Sequence, residues 1–245
     1  TIKGSSSTIQ NYNNEIGMPL SVINASPKSN SLILEIGASK FNDINYLSKI
    51  LSPNIGIITN IGNSHLETLK NTNGVFRAKS EIIKNIKSNG YLIVPFENKQ
   101  HIDYWKNVRS DIKVLTFGMC NAADFFPTKI NINEKRISFY INSTHLKANI
   151  YINTSMVGEH NIKNILASCI AHYCLDLNLE KFAMIINSKN LKNIRLTKMK
   201  WIGGSTLIDD SYNANPDSAK KSIDLLSRYT VSYTHLRAHE TNVDL

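Results

Sequence analysis

Asn54-Ile-Gly-Ile-Ile-Thr-Asn60 and Gly90-Tyr-Leu-Ile-Val-Pro95 are two short apolar runs, and Val75–Ile86 between them carries Ala78, Ile82, Ile83 and Ile86 at helical spacing. Runs of this length, apolar on both faces and closed by turn residues, predict strands buried in a parallel sheet. A helix joining two such strands predicts a βαβ crossover. The pattern extends both ways. Upstream, Ser31–Ile36 (SLILEI) stops at Gly37, and Phe41–Leu51 sets Ile44, Leu47, Ile50 and Leu51 at helical spacing. Downstream, a short helix over Ile102–Val108 precedes a strand over Lys113–Phe117. Strands and helices alternating in units of about 30 residues predict an α/β fold with a doubly wound, mostly parallel sheet.

The pattern then changes. Lys129–Ile132, Ile137–Ile141 and Lys147–Ile152 alternate apolar and polar residues between Asn-rich turns, which predicts a small antiparallel sheet added to the first. Helical periodicity returns over His160–Tyr173 and Leu179–Ser188. Gly203-Gly204 reads as a hinge, followed by a strand (Thr206–Ile208) and a helix from Asp217 to about Arg228. We therefore expect one domain over residues 1–203 and the truncated start of a second over 204–229. Residues 230–245 are expected to be foreign, because Val231–Thr241 back-translates into a transposase-type sequencing adapter. His235 and His239, spaced i,i+4 inside that tail, are excluded from any metal reading.

Composition excludes several classes of function. With 42% apolar and 19% charged residues the chain is globular, and no apolar run is long enough to span a membrane. Cys120, Cys169 and Cys174 are odd in number and widely spaced, as expected of reduced cytosolic thiols rather than a disulfide framework. The net charge of +9 invites a nucleic-acid reading. However, 31 Asn, 33 Ile and 22 Lys against 6 Arg follow from A/T-rich codons, and the lysines are scattered without an arginine stripe or aromatic platform. Attraction to a polyanionic small molecule stays open.

A few residues carry chemistry. Glu35 ends the first strand and His65 lies just past the second, on the edge where open α/β sheets bind ligands. A carboxylate and an imidazole there can share a divalent cation; spacing alone favours Glu35 as a loop cap and His65 as a hydrogen-bonded loop residue. Lys79, in Ala78-Lys-Ser-Glu81, is either a solvated helix lysine or, carbamylated by carbon dioxide, an anionic oxygen ligand. Gly158-Glu-His-Asn-Ile-Lys-Asn164 opens a helix whose free amides suit an anion, with Asn161 and Asn164 on one face at i,i+3. Asn161 also fits an ordinary cap. Arg195 can clamp a phosphate or simply be solvated.

In the order they occur, Asn11–Leu20, Glu35-Ile-Gly-Ala-Ser39, Thr59–Glu67, Ala78–Ile82, Gly158-Glu-His-Asn161 and Asp209–Pro216 resemble the Mur ligase family. The first and last blocks are most similar to the member that joins D-alanyl-D-alanine to UDP-N-acetylmuramoyl-tripeptide. The resemblance implies an ATP-dependent amide ligase working through an acyl phosphate, serving peptidoglycan precursor synthesis in a bacterial cytoplasm, monomeric when complete. It implies that Glu35, His65 and a carbamylated Lys79 hold Mg²⁺. It also implies that Asn161 and Asn164 face the adenine, that Arg195 and Asp210 contact phosphate or ribose, and that Asn13 and Asn14 lie at the UDP-sugar side.

Three features depart from the family. Its phosphate loop, G-x-x-G-K-[ST], is absent: Lys3-Gly-Ser-Ser-Ser7 has the composition in the wrong order, so the chain is expected to begin downstream of that loop and to be inactive alone. The C-terminal domain is expected to be cut short about one helix in. Leu66-Glu-Thr-Leu-Lys70 stands where the family usually has glycines, which puts that loop's shape in question. The rival readings are another Mur-type or folylpolyglutamate-type ligase, and a nucleotide-binding module without catalysis.

Overall fold

The computed structural model describes residues 4–62, 66–133, 136–156, 158–188 and 197–209. They belong to two compact units, 1–190 and 191–245. In the first, β1 (Ser5–Ser7) and α1 (Gly17–Ile23) lead to β2 (Ser31–Ile33), which pairs with β1 in parallel. Then come α2 (Asp43–Leu51) and β3 (Ile55–Ile57). The crossover from β3 to β4 (Tyr91–Pro95) holds α3 (Leu66–Leu69), α4 (Thr72–Ser80) and a 3-10 turn over Glu81–Asn85. From β4 the chain crosses through α5 (Lys99–Val108) to β5 (Lys113–Phe117). β3, β4 and β5 form a parallel sheet with β4 in the middle, its Ile93 opposite Ile57 on one side and Leu115 on the other.

The alternation of β4 explains its place. Leu92 and Val94 face a core built from Ile44 of α2, Phe76 of α4, Ile82 and Ile83 of the 3-10 turn, and Ile102 and Trp105 of α5. Ile93 points the other way and is equally buried. There α6 (Glu159–Cys174) runs against β3, β4 and β5, burying Ile162, Leu166 and Ile170. A sheet covered on both faces is what near-continuous apolar strands require.

An antiparallel meander precedes α6: β6 (Phe126–Ile132), β7 (Ile137–Asn142) and β8 (Ile150–Thr154). Ile137, Phe139 and Ile141 alternate inward along β7, and α7 (Leu179–Ser188) packs on β8. The parallel sheets, their helices and the small antiparallel sheet are the α/β architecture expected from the sequence.

Boundaries moved for identifiable reasons. The first expected strand ends at Ile33, because the next amides leave the ladder: Glu35 N–H goes to Thr8 Oγ1 and Gly37 N–H to the Asn13 carbonyl. Two helices begin earlier than their apolar spacing suggests, since Asn71 and Asn98 cap them through their side-chain oxygens. After Ser80 the expected continuous helix tightens into the 3-10 turn.

In the second unit, β9 (Thr197–Lys200) and β10 (Thr206–Asp209) pair antiparallel. Gly203 and Gly204 make the connection at φ 73° and 79°, a left-handed backbone that glycine adopts at little cost. The helix expected from Asp217 and the tail 230–245 lie outside the described residues. Among those described, no helix is long and apolar enough to cross a membrane.

Candidate functional site

The site is assembled from segments that leave the carboxyl ends of β2 and β3. Beyond β2, Glu35 is exposed, and its Oε1 accepts from Asn13 Nδ2 at 3.0 Å. The Asn13 carbonyl accepts the Gly37 amide at 2.7 Å, and a Cβ on Gly37 would stand 3.2 Å from that oxygen. Glycine thus lets the Asn13 segment lie directly on the Glu35 loop. Asn14 has a local role: its Oδ1 accepts the amides of Ile16 and Gly17, closing the turn into α1.

Beyond β3, Asn60 meets Lys79 of α4. Lys79 Nζ donates to both the carbonyl and Oδ1 of Asn60, each at 2.9 Å. Burial pushes the Lys79 ammonium below the ordinary lysine range, because desolvation penalises the charged form. The neighbouring residues are fixed as firmly. Ser80 Oγ accepts from the buried Trp105 indole at 2.8 Å, and the Glu81 carboxylate accepts backbone amides of Asn42 and Asn45.

The two segments meet. Ile36 and Ala38, flanking Gly37, pack on the same core as Ile61, next to Asn60. Thr68 of α3 donates its hydroxyl to the Ser39 carbonyl. His65, the third residue of the expected metal set, lies outside the described residues. Among the described residues no three His, Cys, Asp or Glu side chains group around a metal position.

At the start of α6, Gly158 takes φ 115°, and a Cβ there would come within 2.5 Å of the His160 ring. The Gly158 carbonyl accepts the Asn161 amide. Asn161 is buried, at 3% exposure, whereas Asn164 is exposed. Lys163 between them forms an ion pair with Glu97, beyond β4, at 2.7 Å. Arg195 and Asp210 lie outside the described residues. Sequence reasoning missed Asn60 and Glu81. Asn60 could have been found as a polar residue closing a buried strand, the position where such sheets carry their ligands.

The chain belongs to the Mur ligase middle domain family, whose description matches residues 1–172. Within it, the chain is similar to the UDP-N-acetylmuramoyl-tripeptide--D-alanyl-D-alanine ligase of Buchnera aphidicola subsp. Baizongia pistaciae, at 36% identity over 228 residues, covering 90% of this chain and 47% of the relative. Among solved structures it resembles MurF from Acinetobacter baumannii, with a TM-score of 0.83 at 27% identity over 92% of this chain and 48% of that one. It also resembles the MurF ligase from Thermotoga maritima in complex with ADP, with a TM-score of 0.78 at 26% identity over 92% of this chain and 51% of that one. The chain spans about half the length of the curated relatives it matches.

Proposed function

We propose that this chain is part of an ATP-dependent amide ligase that joins D-alanyl-D-alanine to UDP-N-acetylmuramoyl-tripeptide during peptidoglycan precursor synthesis in the bacterial cytoplasm. The observation that carries this reading is the 36% identity, across 90% of the chain, to a ligase of that name. On this reading the γ-phosphoryl group of ATP passes to the terminal carboxylate of the tripeptide, leaving ADP and an acyl phosphate. The amine of D-alanyl-D-alanine adds to the acyl carbon, and the tetrahedral intermediate expels phosphate to leave the amide.

The residues present fit a magnesium site. Glu35 offers a hard carboxylate oxygen, and Asn13 holds its partner oxygen in place. The lowered pKa of Lys79 enlarges the neutral amine fraction, the form that carbon dioxide converts to a carbamate. The carbamate nitrogen keeps one N–H, for which the Asn60 carbonyl and Oδ1 are the acceptors at hand. With His65, these residues would hold Mg²⁺, which when bound neutralises charge on the phosphoryl oxygens. Asn161 and Asn164 are assigned to the adenine, Arg195 and Asp210 to phosphate or ribose, and Asn13 and Asn14 to the UDP-sugar side.

The test uses the complete ligase and measures phosphate release. Release is expected to require both the tripeptide substrate and D-alanyl-D-alanine; release driven by a single amino acid instead would reassign the acceptor. Lys79→Ala should lower turnover by about 10²–10³-fold, the usual cost of losing one transition-state charge contact. Short-chain carboxylates should restore part of it. Full activity of Lys79→Ala without additive would reduce Lys79 to a helix residue.

A further inference from the structure

Two residues past Lys79, Glu81 ends α4 and opens the 3-10 turn. Its carboxylate serves another helix. Oε1 accepts the Asn42 amide at 2.8 Å and Oε2 accepts the Asn45 amide at 3.1 Å, both in the entry to α2. Amides of a helix's first turn have no carbonyl partner in their own helix, and the helix dipole favours a carboxylate there. The same turn reaches back to the loop beyond β2: Asp43 Oδ2 accepts the amides of Ser39 at 3.1 Å and Lys40 at 2.9 Å. Ser39 lies four residues after Glu35. A continuous path of charge-assisted bonds therefore runs from the Glu35 loop through Asp43 and the first turn of α2 to Glu81, and so to Lys79.

α2 does not need Glu81 merely to dock. Ile44 sits in the core, and Asn85 Nδ2 donates to Asn45 O, Asn45 Oδ1 and Ser48 Oγ. What Glu81 adds is a clamp at the end of α2 that carries the Glu35 loop, two residues from Lys79. We propose that Glu81 is a positioning residue: by gripping the first turn of α2, it sets the separation between Glu35 and Lys79. This deepens the ligase reading above and rests on it. A carboxylate suits the role because both oxygens accept. A glutamine of the same size offers one acceptor and turns an N–H toward the second amide.

Two measurements test it, each on Glu81→Gln with Asn85→Ala as the control for simple loosening of α2. In the chain itself, amide hydrogen exchange read residue by residue should accelerate about tenfold in Glu81→Gln at Asn42 and Asn45, and also at Ser39 and Lys40. Asn85→Ala should lower the melting temperature without accelerating exchange at Ser39 and Lys40. In the complete ligase, Glu81→Gln should raise the Mg²⁺ concentration for half-maximal phosphate release about tenfold, since small displacements of ligands are costly. Asn85→Ala should leave that concentration at the wild-type value. Glu81→Asp, which keeps the charge but shortens the reach, should fall between wild type and Glu81→Gln in both measurements, and reads the same effect if Glu81→Gln does not fold. Unchanged exchange at Ser39 and Lys40, or an unchanged Mg²⁺ requirement, overturns the proposal. Glu35→Gln separates the two levels: a shift in Glu35→Gln alone sinks the role of Glu81 and leaves the metal site standing. No shift in either variant sinks the metal-site reading itself.

Discussion

β2 and β4 are both short apolar strands in parallel ladders, yet they sit in opposite environments. Leu92, Ile93 and Val94 of β4 are wholly buried, while Leu32 and Ile33 of β2 keep 40% and 48% of their surface. β4 has a strand on each side and helices over both faces; among the described residues β2 pairs with β1 alone, which is three serines. Nearby, Ile16 and Ile23 at the ends of α1 are also open to solvent. An apolar run therefore specifies a strand without specifying its depth. The difference matters to the candidate site, because Glu35 leaves the open region and Lys79 the closed one. Packing fixes the Lys79 side through Phe76, Ala78 and Ile82. On the Glu35 side the partly buried Ile36 and Ala38 are joined by polar bonds from Thr8 and Asn13, and through Ser39 and Lys40 to Asp43.

The largest expected effect tests that contrast with one substitution in two places. Leu92→Ala should cost about 2–5 kcal/mol, the transfer loss plus a cavity that the crowded sheet cannot close. Leu32→Ala should cost under about 1 kcal/mol, since much of that side chain is already in water. Urea unfolding of both variants measures the two losses, and equal values would abolish the distinction. Next in size, Trp105→Phe deletes the indole N–H that serves Ser80 Oγ and leaves a buried hydroxyl without its donor. A loss of about 1–3 kcal/mol is expected. Its counterpart in the open region, Ile23→Ser, should stay within about 0.5 kcal/mol of wild type. A cost for Ile23→Ser matching that of Trp105→Phe would mean that α1 is packed after all.

The same contrast explains what could be read from the sequence. β4, β5 and α7 were legible to within a residue because burial imposes an apolar period on them. β1 was not, because Ser5–Ser7 carry no apolar signal and are extended only through pairing with β2. α1 was hidden by Pro19, which a first turn tolerates because its amide needs no helix partner. Asn71 and Asn98 each cap a helix through a side-chain oxygen, and among 31 asparagines nothing local marks them out. At the site, Glu35 and Lys79 were visible through their motif blocks. Asn60 and Glu81 act through bonds to partners 19 and 39 residues away, and no local pattern records those.

Backbone strain should ignore the contrast between regions. Lys70 takes φ 70° after the single turn of α3, a left-handed bend made without the glycine that would make it cheap. Gln10, in the open region, takes φ 50°. Lys70→Gly and Gln10→Gly should each stabilise by up to about 1 kcal/mol, the strain relieved being partly offset by a more flexible unfolded chain. Thermal melts compare the two gains. A gain at only one site would tie the strain to packing rather than to φ.

The smallest effect is a pH dependence confined to the closed region, since residues 4–62 contain no histidine. His172 of α6 bonds to the Ser168 carbonyl through Nδ1 at 2.8 Å, and its ring lies against Phe182. Burial lowers its pKa from the ordinary 6.5. Burial likewise lowers that of His101, stacked on Phe76, with the Glu97 carboxylate opposing the shift. The sign follows from linkage. Below pH 6.5 the unfolded chain takes up these protons while the folded chain resists them, so stability is held above that pH and lost as pH falls toward the folded values. Asp111 behaves similarly in a separate window: its bonds to Arg109 and Ser88 hold its carboxyl well below the ordinary 3.8, so its share is lost only in stronger acid. Urea midpoints taken between pH 8 and about 5, the range in which an unperturbed histidine titrates, should show a shallow decline that His172→Gln flattens in part. A slope unchanged in His172→Gln would assign the decline elsewhere, and a rise in stability on acidification would contradict the buried, neutral imidazole.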